Sequence, residues 1–404
     1  MSIATAMGGS DRNEGACPGD QRSPELTVLL PCLDEAETVG VCVDKALGFL
    51  HDMGVDGEVL VVDNGSVDET AAIAVRHGAR LIAVEAKGYG NALRAGIEAA
   101  AGQFVIMSDA DDSYDLSGLA PFLTELRAGS QLVVGNRFRG GIEPGAMPFL
   151  HRYLGNPLLS LIGRVFFGSR LSDFHCGLRG FDRDAIRGLG LVTSGMEFAS
   201  EMIVKATLQG LRITEVPTSL SPDARSREPH LHTWRDGWRH LRFLLLYSPN
   251  WLFLYPGLGL LLVGLATMAW LLPGPQRWGD VSFDIHTLAY GTAAIICGFQ
   301  ATTLAILTKV YAMEVKILPP DPVIERFRSA FSLEGGLIVG LLMFAIGVGV
   351  SVQALRGWGE TAFSDLDPAT TMRAVLPSIA LMVVGSQIVL TSFFYSALGL
   401  LRRR

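Results

Sequence analysis

The sequence predicts a doubly wound α/β domain on a parallel sheet, followed by a membrane region of four helical spans. Three observations predict it. Short apolar runs alternate with helical periodicity from Leu26 onward. One of these runs ends abruptly in acid, in residues 104–115, FVIMSDADDSYD. Four apolar stretches of roughly twenty residues, 251–272, 285–308, 333–355 and 375–400, fill the last third, each long enough to cross about 30 Å of hydrocarbon as a helix.

The elements follow in order. LTVLLP (26–31) reads as a buried strand, and 35–53 carries helical spacing. EVLVVD (58–63) is the second strand; NGS and a helix over 68–76 come next, then a third strand, ARLIAV (79–84). KGYG leads into a helix over 91–101. Strands alternating with helices give parallel pairing through right-handed crossovers.

The fourth strand, 104–108, delivers Asp109, Asp111, Asp112 and Asp115 to its carboxyl end, where ligands of open α/β sheets collect. Four carboxylates so close repel one another unless a cation joins them. Asp109 and Asp111 can offer oxygens to one hard divalent ion, Mg²⁺ or Mn²⁺, which takes a few carboxylates plus a substrate's phosphates. The plain alternative is a solvated acidic loop capping a helix that begins near Ser117. Asp34 and Glu35, and Asp63 and Asn64, end two further strands toward the same rim. A nucleotide fits there, with Asp63 accepting from a ribose hydroxyl or a base N–H. Gly88 and Gly90 would let backbone approach the ligand at a helix start, where anions are favoured. KGYGNA has neither the GxGxxG nor the P-loop spacing.

Five ordered blocks, PCLDEAETV (31–39), VVDNGSVDET (61–70), KGYGNALRAG (87–96), DAD (109–111) and VVGNRF (133–138), resemble the family 2 glycosyltransferases. Within that family the chain looks like the dolichyl-phosphate mannose and glucose synthases and the bacterial polyisoprenyl-phosphate glycosyltransferases, over about residues 26–242. The resemblance implies a GT-A fold, with interfacial helices leading into the spans. It also implies a nucleotide-sugar donor held by Pro31, Glu35, Asp63, Lys87, Gly88, Asp109 and Ala110, Mg²⁺ or Mn²⁺ on Asp109 and Asp111, and a lipid phosphate acceptor. Two positions depart from the pattern. The usual DDGS is Asp63-Asn64-Gly65-Ser66, one carboxylate fewer, and Ser113 stands where many relatives place a Gln as third metal ligand. Asp112, Ser113 or water are the candidates to replace it.

Positive charge comes from the second half of the domain. Arg137 follows LVVG, and Arg152 lies in PFLHRYLGNPLLSLIGRVFFG, which reads as a membrane-surface helix. Arg179 sits in DFHCGLRGF, matching the family's D-x-x-(S/C)-G-(F/L)-R block, and Arg225 and Arg227 follow ITEVP. Singly each reads as a solvated arginine; together they suit a lipid phosphate. Arg137, Arg152, Arg225 and Arg227 are the expected phosphate contacts, and Asp173 is placed to orient an arginine. Glu197 and Glu201, four apart, are candidates to position acceptor or sugar, against a plain amphipathic helix with Lys205 as ion-pair partner. His175, His230 and His232 form no metal-ligand set.

The domain plan is a disordered tail over 1–23, a cytoplasmic catalytic domain over 24–230, an interfacial helix over 231–249 and the spans over 250–404. Trp234, Trp238, Leu241 and Leu245 share one helix side while Arg235, Arg239 and Arg242 share the other. Basic residues before the first span, between the second and third, and after the fourth place both termini in the cytoplasm, in an inner membrane protein. The tail has no apolar run to act as a signal peptide. Five scattered cysteines read as reduced thiols. A net charge of −7 without a basic stripe argues against nucleic acid; association into a homo-oligomer is left open.

The function expected is metal-dependent, inverting transfer of a hexose from a nucleotide sugar, UDP-glucose or similar, to a polyprenyl phosphate. GDP-mannose is the alternative donor. A processive polysaccharide synthase is a rival, but it would carry a QxxRW segment, and Gln276-Arg277-Trp278 lacks that spacing. A membrane carrier or flippase with a nucleotide-sugar-sensing domain is the rival of another class, and few charges lie within the spans to serve it.

Overall fold

The computed structural model describes residues 23–225, 233–315, 317–330, 332–360, 364–365 and 367–401. All but the last residue of the expected tail, and Arg227, His230 and His232, lie outside the described residues.

The first half winds as the alternation demands: β1 (Leu26–Cys32), α1 (Val39–Asp52), β2 (Gly57–Asp63), α2 (Thr70–Arg76), β3 (Arg80–Ala83), α3 (Tyr89–Ala99) and β4 (Phe104–Met107). In α1 the buried side chains Val39, Cys42, Val43, Ala46, Phe49 and Leu50 recur at helical spacing and pack on the sheet. β4 is buried throughout and β1 almost so, because helices cover both faces. Pro31 is tolerated within β1: the last β1–β4 pair is Leu29 with Met107, so its missing N–H costs that ladder nothing.

The second half adds α4 (Ala120–Arg127), β5 (Leu132–Asn136), α5 (Arg137–Gly140), a π-helical turn (His151–Gly155), α6 (Asn156–Phe167), β6 (Arg179–Asp182), α7 (Arg183–Arg187), α8 (Phe198–Leu208) and β7 (Ile213–Pro217). The sheet order is β3-β2-β1-β4-β6-β5-β7. The parallel pairing expected of the first four strands holds, and the second half departs from it. β6 runs antiparallel between β4 and β5, so the sheet is mixed. Four residues, RGFD, with a charge at each end and a glycine inside, carry no strand periodicity to reveal this. The rim therefore has β2, β1 and β4 as parallel neighbours, and β1–β4 is where the winding reverses.

Beyond the domain, α9 (Thr233–Leu246) packs Phe243 and Leu244 against Val204 of α8 and Phe166 and Phe167 of α6. Trp234 and Trp238 stay exposed. A π-helical turn (Asn250–Leu254) opens α10 (Tyr255–Leu271). A hairpin of β8 (Gln276–Trp278) and β9 (Val281–Phe283) then joins it to α11 (Ile285–Glu314), and α12 (Pro322–Ala330), α13 (Leu333–Glu360) and α14 (Pro368–Leu401) follow. Among the described residues four helices are long and apolar enough to span a membrane: Asn250–Leu271, Ile285–Glu314, Leu333–Glu360 and Pro368–Leu398. These are the four expected stretches, with longer helical ends. Gln276, Arg277 and Trp278 belong to the hairpin.

Candidate active site

Three strand ends build the site. After β1, Asp34 takes a left-handed backbone and accepts from Val67 N at Oδ1 (2.8 Å), while Glu35 N donates to Thr70 Oγ1 (2.7 Å), which fixes the Glu35 carboxylate over the rim. At the end of β2, Asp63 Oδ1 accepts from Ser66 N (3.1 Å) and the carboxylate is almost wholly buried. Asn64 explains its own departure from the family pattern. Its amide nitrogen donates to the carbonyls of Val84 (3.2 Å) and Ala86 (2.9 Å), and its oxygen accepts from Gly88 N (2.6 Å). A carboxylate could not donate to those two carbonyls. Asn64 thus ties the 84–88 segment to β2 and sets exposed Lys87 beside Gly65.

Past β4, Asp109 Oδ1 accepts from the Tyr89 hydroxyl at 3.0 Å. Gly177 leaves room for its other oxygen, since a Cβ there would come within 2.4 Å of Asp109 Oδ2. Burial first, and then the charge of Asp111, push the Asp109 carboxyl up to about 6, against the Tyr89 hydrogen bond and the charges of Arg225 and Arg137. Asp111 Oδ1 accepts from Ser113 N (3.1 Å) and Oγ (2.6 Å). Ala110 is buried, and its carbonyl accepts from Thr38 Oγ1 (2.7 Å).

The donor set suits a hard divalent ion. The half-buried Asp109 and the buried Asp111 resist sharing one negative region, and their oxygens are hard. Among the described residues no group of three His, Cys, Asp or Glu gathers as a metal cage. Hard divalent ions such as Mg²⁺ or Mn²⁺ take oxygens of this kind together with water and substrate phosphates, and here both oxygens of Asp111 are engaged, Oδ1 by Ser113 and Oδ2 by Arg225 (2.8 Å).

Several expected residues stand elsewhere. Asp112 turns away from the rim to an ion pair with Lys45 (2.7 Å), and the Ser113 hydroxyl is spent on Asp111, so neither is arranged as a third ligand. Gly88 and Gly90 serve packing rather than ligand approach: a Cβ on either would come within 2.3 Å of the Ser194 or Thr193 carbonyl oxygen. Arg179 faces no phosphate site. It is fully buried and donates to the carbonyls of Cys176 (2.9 Å), Phe174 (2.9 Å) and Ala199 (2.6 Å). Glu201 accepts from the backbone of Val192 (3.0 Å) and Thr193 (2.8 Å) and pairs with Lys205 (2.7 Å), the amphipathic-helix alternative. Glu197 folds back on Gly195, its Oε2 buried without a hydrogen-bond partner among the described residues.

The arginines divide. Arg137 is clasped by Asp173 through Nε and Nη2, both at 2.7 Å, as expected for an orienting carboxylate, and its charge acts on Asp109. Arg152 lies in the π-helical turn with its guanidinium 5.6 Å from the Tyr153 ring and no ion pair among the described residues. Its neighbour His151 is lowered by burial and then by Arg137, which ties the turn to the Arg137 end of the site. Arg225 joins the carboxylate side instead of the Arg137 side. It bridges Glu35 (2.9 Å), Asp111 (2.8 Å) and Asp223 (3.0 Å), and Ala224 N donates to the Asp111 carbonyl (3.2 Å). Sequence reasoning passed over Tyr89, Thr38 and Asp223. Only Tyr89 had a local signal, a hydroxyl inside the KGYG block.

A model of glycosyltransferase family 2 matches residues 27–190, and a model of that family's C-terminal transmembrane region matches 306–399. The chain is 36% identical to the low-salt glycan biosynthesis hexosyltransferase Agl6 of Haloferax volcanii, over 93% of this chain and 90% of that one. It is 31% identical to the dolichyl-phosphate hexose transferase of the same organism, over 48% of this chain and 81% of the relative. Among solved structures it is similar to glucosyl-3-phosphoglycerate synthase of Mycobacterium tuberculosis in complex with Mn²⁺, UDP-glucose and phosphoglyceric acid. That likeness has 24% identity and a TM-score of 0.42, and covers 55% of this chain and 78% of that one.

Proposed function

Because the chain belongs to glycosyltransferase family 2 and carries that family's transmembrane region, we propose that it transfers a hexose from a nucleotide sugar to the phosphate of a polyprenyl lipid. The observation that carries this reading is one of placement. The Asp109 carboxylate feels the charge of Arg137, and Arg152 stands beside that end on a segment whose Phe149, Tyr153 and Leu154 are exposed. An apolar exposed segment next to a phosphate-binding arginine suits an acceptor that is itself part lipid, part phosphate. The hexosyltransferase and dolichyl-phosphate hexose transferase relatives support the same pairing.

In this reading the nucleotide lies across the strand ends, with Asp63 accepting from ribose or base and Lys87 facing the diphosphate. Arg225, within 3.0 Å of three carboxylates, adds positive charge to the same place. Asp109 and Asp111 would hold Mg²⁺ or Mn²⁺, which would supply positive charge against the leaving nucleoside diphosphate. The acceptor needs no general base, since a phosphate monoester loses its second proton near pH 6, with a pKa of about 6. Arg137, rigid on Asp173, and Arg152 hold the anionic phosphate oxygen in line with the anomeric carbon. That oxygen forms the new bond as the bond to the diphosphate breaks, so an α-linked donor gives a β-linked product.

UDP-glucose or a related hexose donor is the first choice and GDP-mannose the second. The catalytic domain and both termini lie on the cytoplasmic side of the inner membrane in this account. A donor screen with purified protein, Mg²⁺ or Mn²⁺ and undecaprenyl or decaprenyl phosphate tests it. A sugar-phosphate lipid from one donor supports the proposal; turnover only with a water-soluble acceptor overturns it.

A further inference from the structure

A separate cavity of about 540 Å³ lies beside β7, and none of the residues assigned above to donor, metal or acceptor lines it. Arg139, Ser169, Arg170, Thr207 and Glu215 supply its polar wall. Arg139 is two residues beyond Arg137 on α5, yet Arg137 is buried toward Asp173 while Arg139 is exposed. Neither Arg139 nor Arg170 forms an ion pair among the described residues. The one carboxylate in the wall, Glu215, has one oxygen engaged by backbone: its Oε1 accepts from Ser172 N (2.5 Å) and Asp173 N (3.1 Å). Among the described residues Thr207 Oγ1 is buried without a hydrogen-bond partner. Two guanidinium groups without an ion pair among the described residues outweigh the one carboxylate and leave the wall net positive, which suits an anion.

Its position says which anion. Gly168, Ser169 and Arg170 directly follow α6, whose Phe166 stacks on Trp251 with ring centroids 5.4 Å apart and planes 13° from parallel. Trp251 is the second residue of the first span, Asn250–Leu271. Leu158, Leu161 and Val165 of α6 are exposed, an apolar face without a protein cover. The cavity thus sits at the depth where the first span enters lipid, which is the headgroup layer.

We propose that this cavity binds the phosphodiester headgroup of an anionic phospholipid of the surrounding leaflet, at a site distinct from the acceptor's. Arg139 and Arg170 pair with the phosphodiester oxygens, and the acyl chains lie along the exposed face of α6. Each basic side chain at a membrane surface contributes roughly 1 kcal/mol, so loss of both weakens retention roughly thirty-fold.

The full chain is reconstituted in nanodiscs of phosphatidylcholine and phosphatidylglycerol in equal parts, and the lipids retained on release are counted by native mass spectrometry. Wild type retains phosphatidylglycerol in preference to phosphatidylcholine, and R139Q/R170Q loses that preference. Both arginines are exposed, and unchanged thermal unfolding of the variant confirms that it folds. Equal retention of the two lipids by wild type overturns the proposal, as does an undiminished preference in the variant. A competition arm with inorganic phosphate identifies the source. Indifference to phosphate supports a lipid headgroup, whereas displacement of phosphatidylglycerol by phosphate marks a soluble-anion site and overturns the lipid assignment.

Discussion

The Tyr89 hydroxyl donates to Asp109 Oδ1 across 3.0 Å and joins the start of α3 to the acidic end of β4. The bond favours the ionised carboxyl, against burial and the charge of Asp111. Tyr89→Phe removes it with little change of shape. Mn²⁺ affinity, measured by electron paramagnetic resonance without donor, should fall by about ten-fold, the scale of a lost hydrogen bond to a charged group. An unchanged affinity would mean that Tyr89 only packs.

Asn64 makes the opposite substitution informative. Asn64→Asp brings the chain closer to the family pattern, yet it points an acceptor at the carbonyls of Val84 and Ala86. We expect a loss of about 1–3 kcal/mol at neutral pH, read from thermal unfolding. A variant as stable as wild type would show that the 84–88 segment is held by other contacts.

How much of this was legible follows from where each signal lives. The position of Asp109 and Asp111 at the rim is legible because a buried strand runs straight into acid, a local pattern. Arg179 misled for the converse reason. A charged residue in sequence reads as surface, and nothing local reveals that Phe174, Cys176 and Ala199 will offer it three carbonyls. The pairing of Asp112 with Lys45 spans 67 positions and Arg225 with Asp111 spans 114, so only the tertiary fold decides which carboxylate stays on the rim. β6 was hidden because four residues are too few for a period-two pattern, and the glycines of KGYG were read as ligand contacts when the fold uses them against Thr193 and Ser194.

Arg152 tests the acceptor end. Its side chain has no ion-pair partner among the described residues, so Arg152→Ala leaves no buried charge behind. The apparent KM for polyprenyl phosphate should rise about ten-fold while that for nucleotide sugar moves little. Equal changes in both would remove Arg152 from the acceptor site.

His175 gives the pH dependence. Burial first, then His240, Arg137, Arg179 and His151, hold its pKa well below the usual value, and its ring stands 4.6 Å from that of His240 on α9. Ser200 Oγ lies between them, 3.5 Å from His175 Nε2 and 2.9 Å from His240 Nδ1. The folded protein keeps His175 neutral while the unfolded chain takes up a proton near pH 6.5, a pKa of about 6.5. This contribution to stability is therefore full above that pH and is lost as pH falls through and below it. Thermal unfolding followed by the fluorescence of Trp234 and Trp238 should shift down as pH drops, and His175→Gln should flatten the slope. An equal slope in both proteins would contradict the assignment.

The most direct test of the account is release of nucleoside diphosphate from a nucleotide sugar on addition of polyprenyl phosphate, with wild type beside Asp109→Asn and Asp111→Asn. The account predicts release that depends on the lipid phosphate, with formation of the sugar-phosphate lipid, and its abolition in both variants although they remain folded. Release at near wild-type rates in either variant would contradict it, as would release indifferent to the lipid.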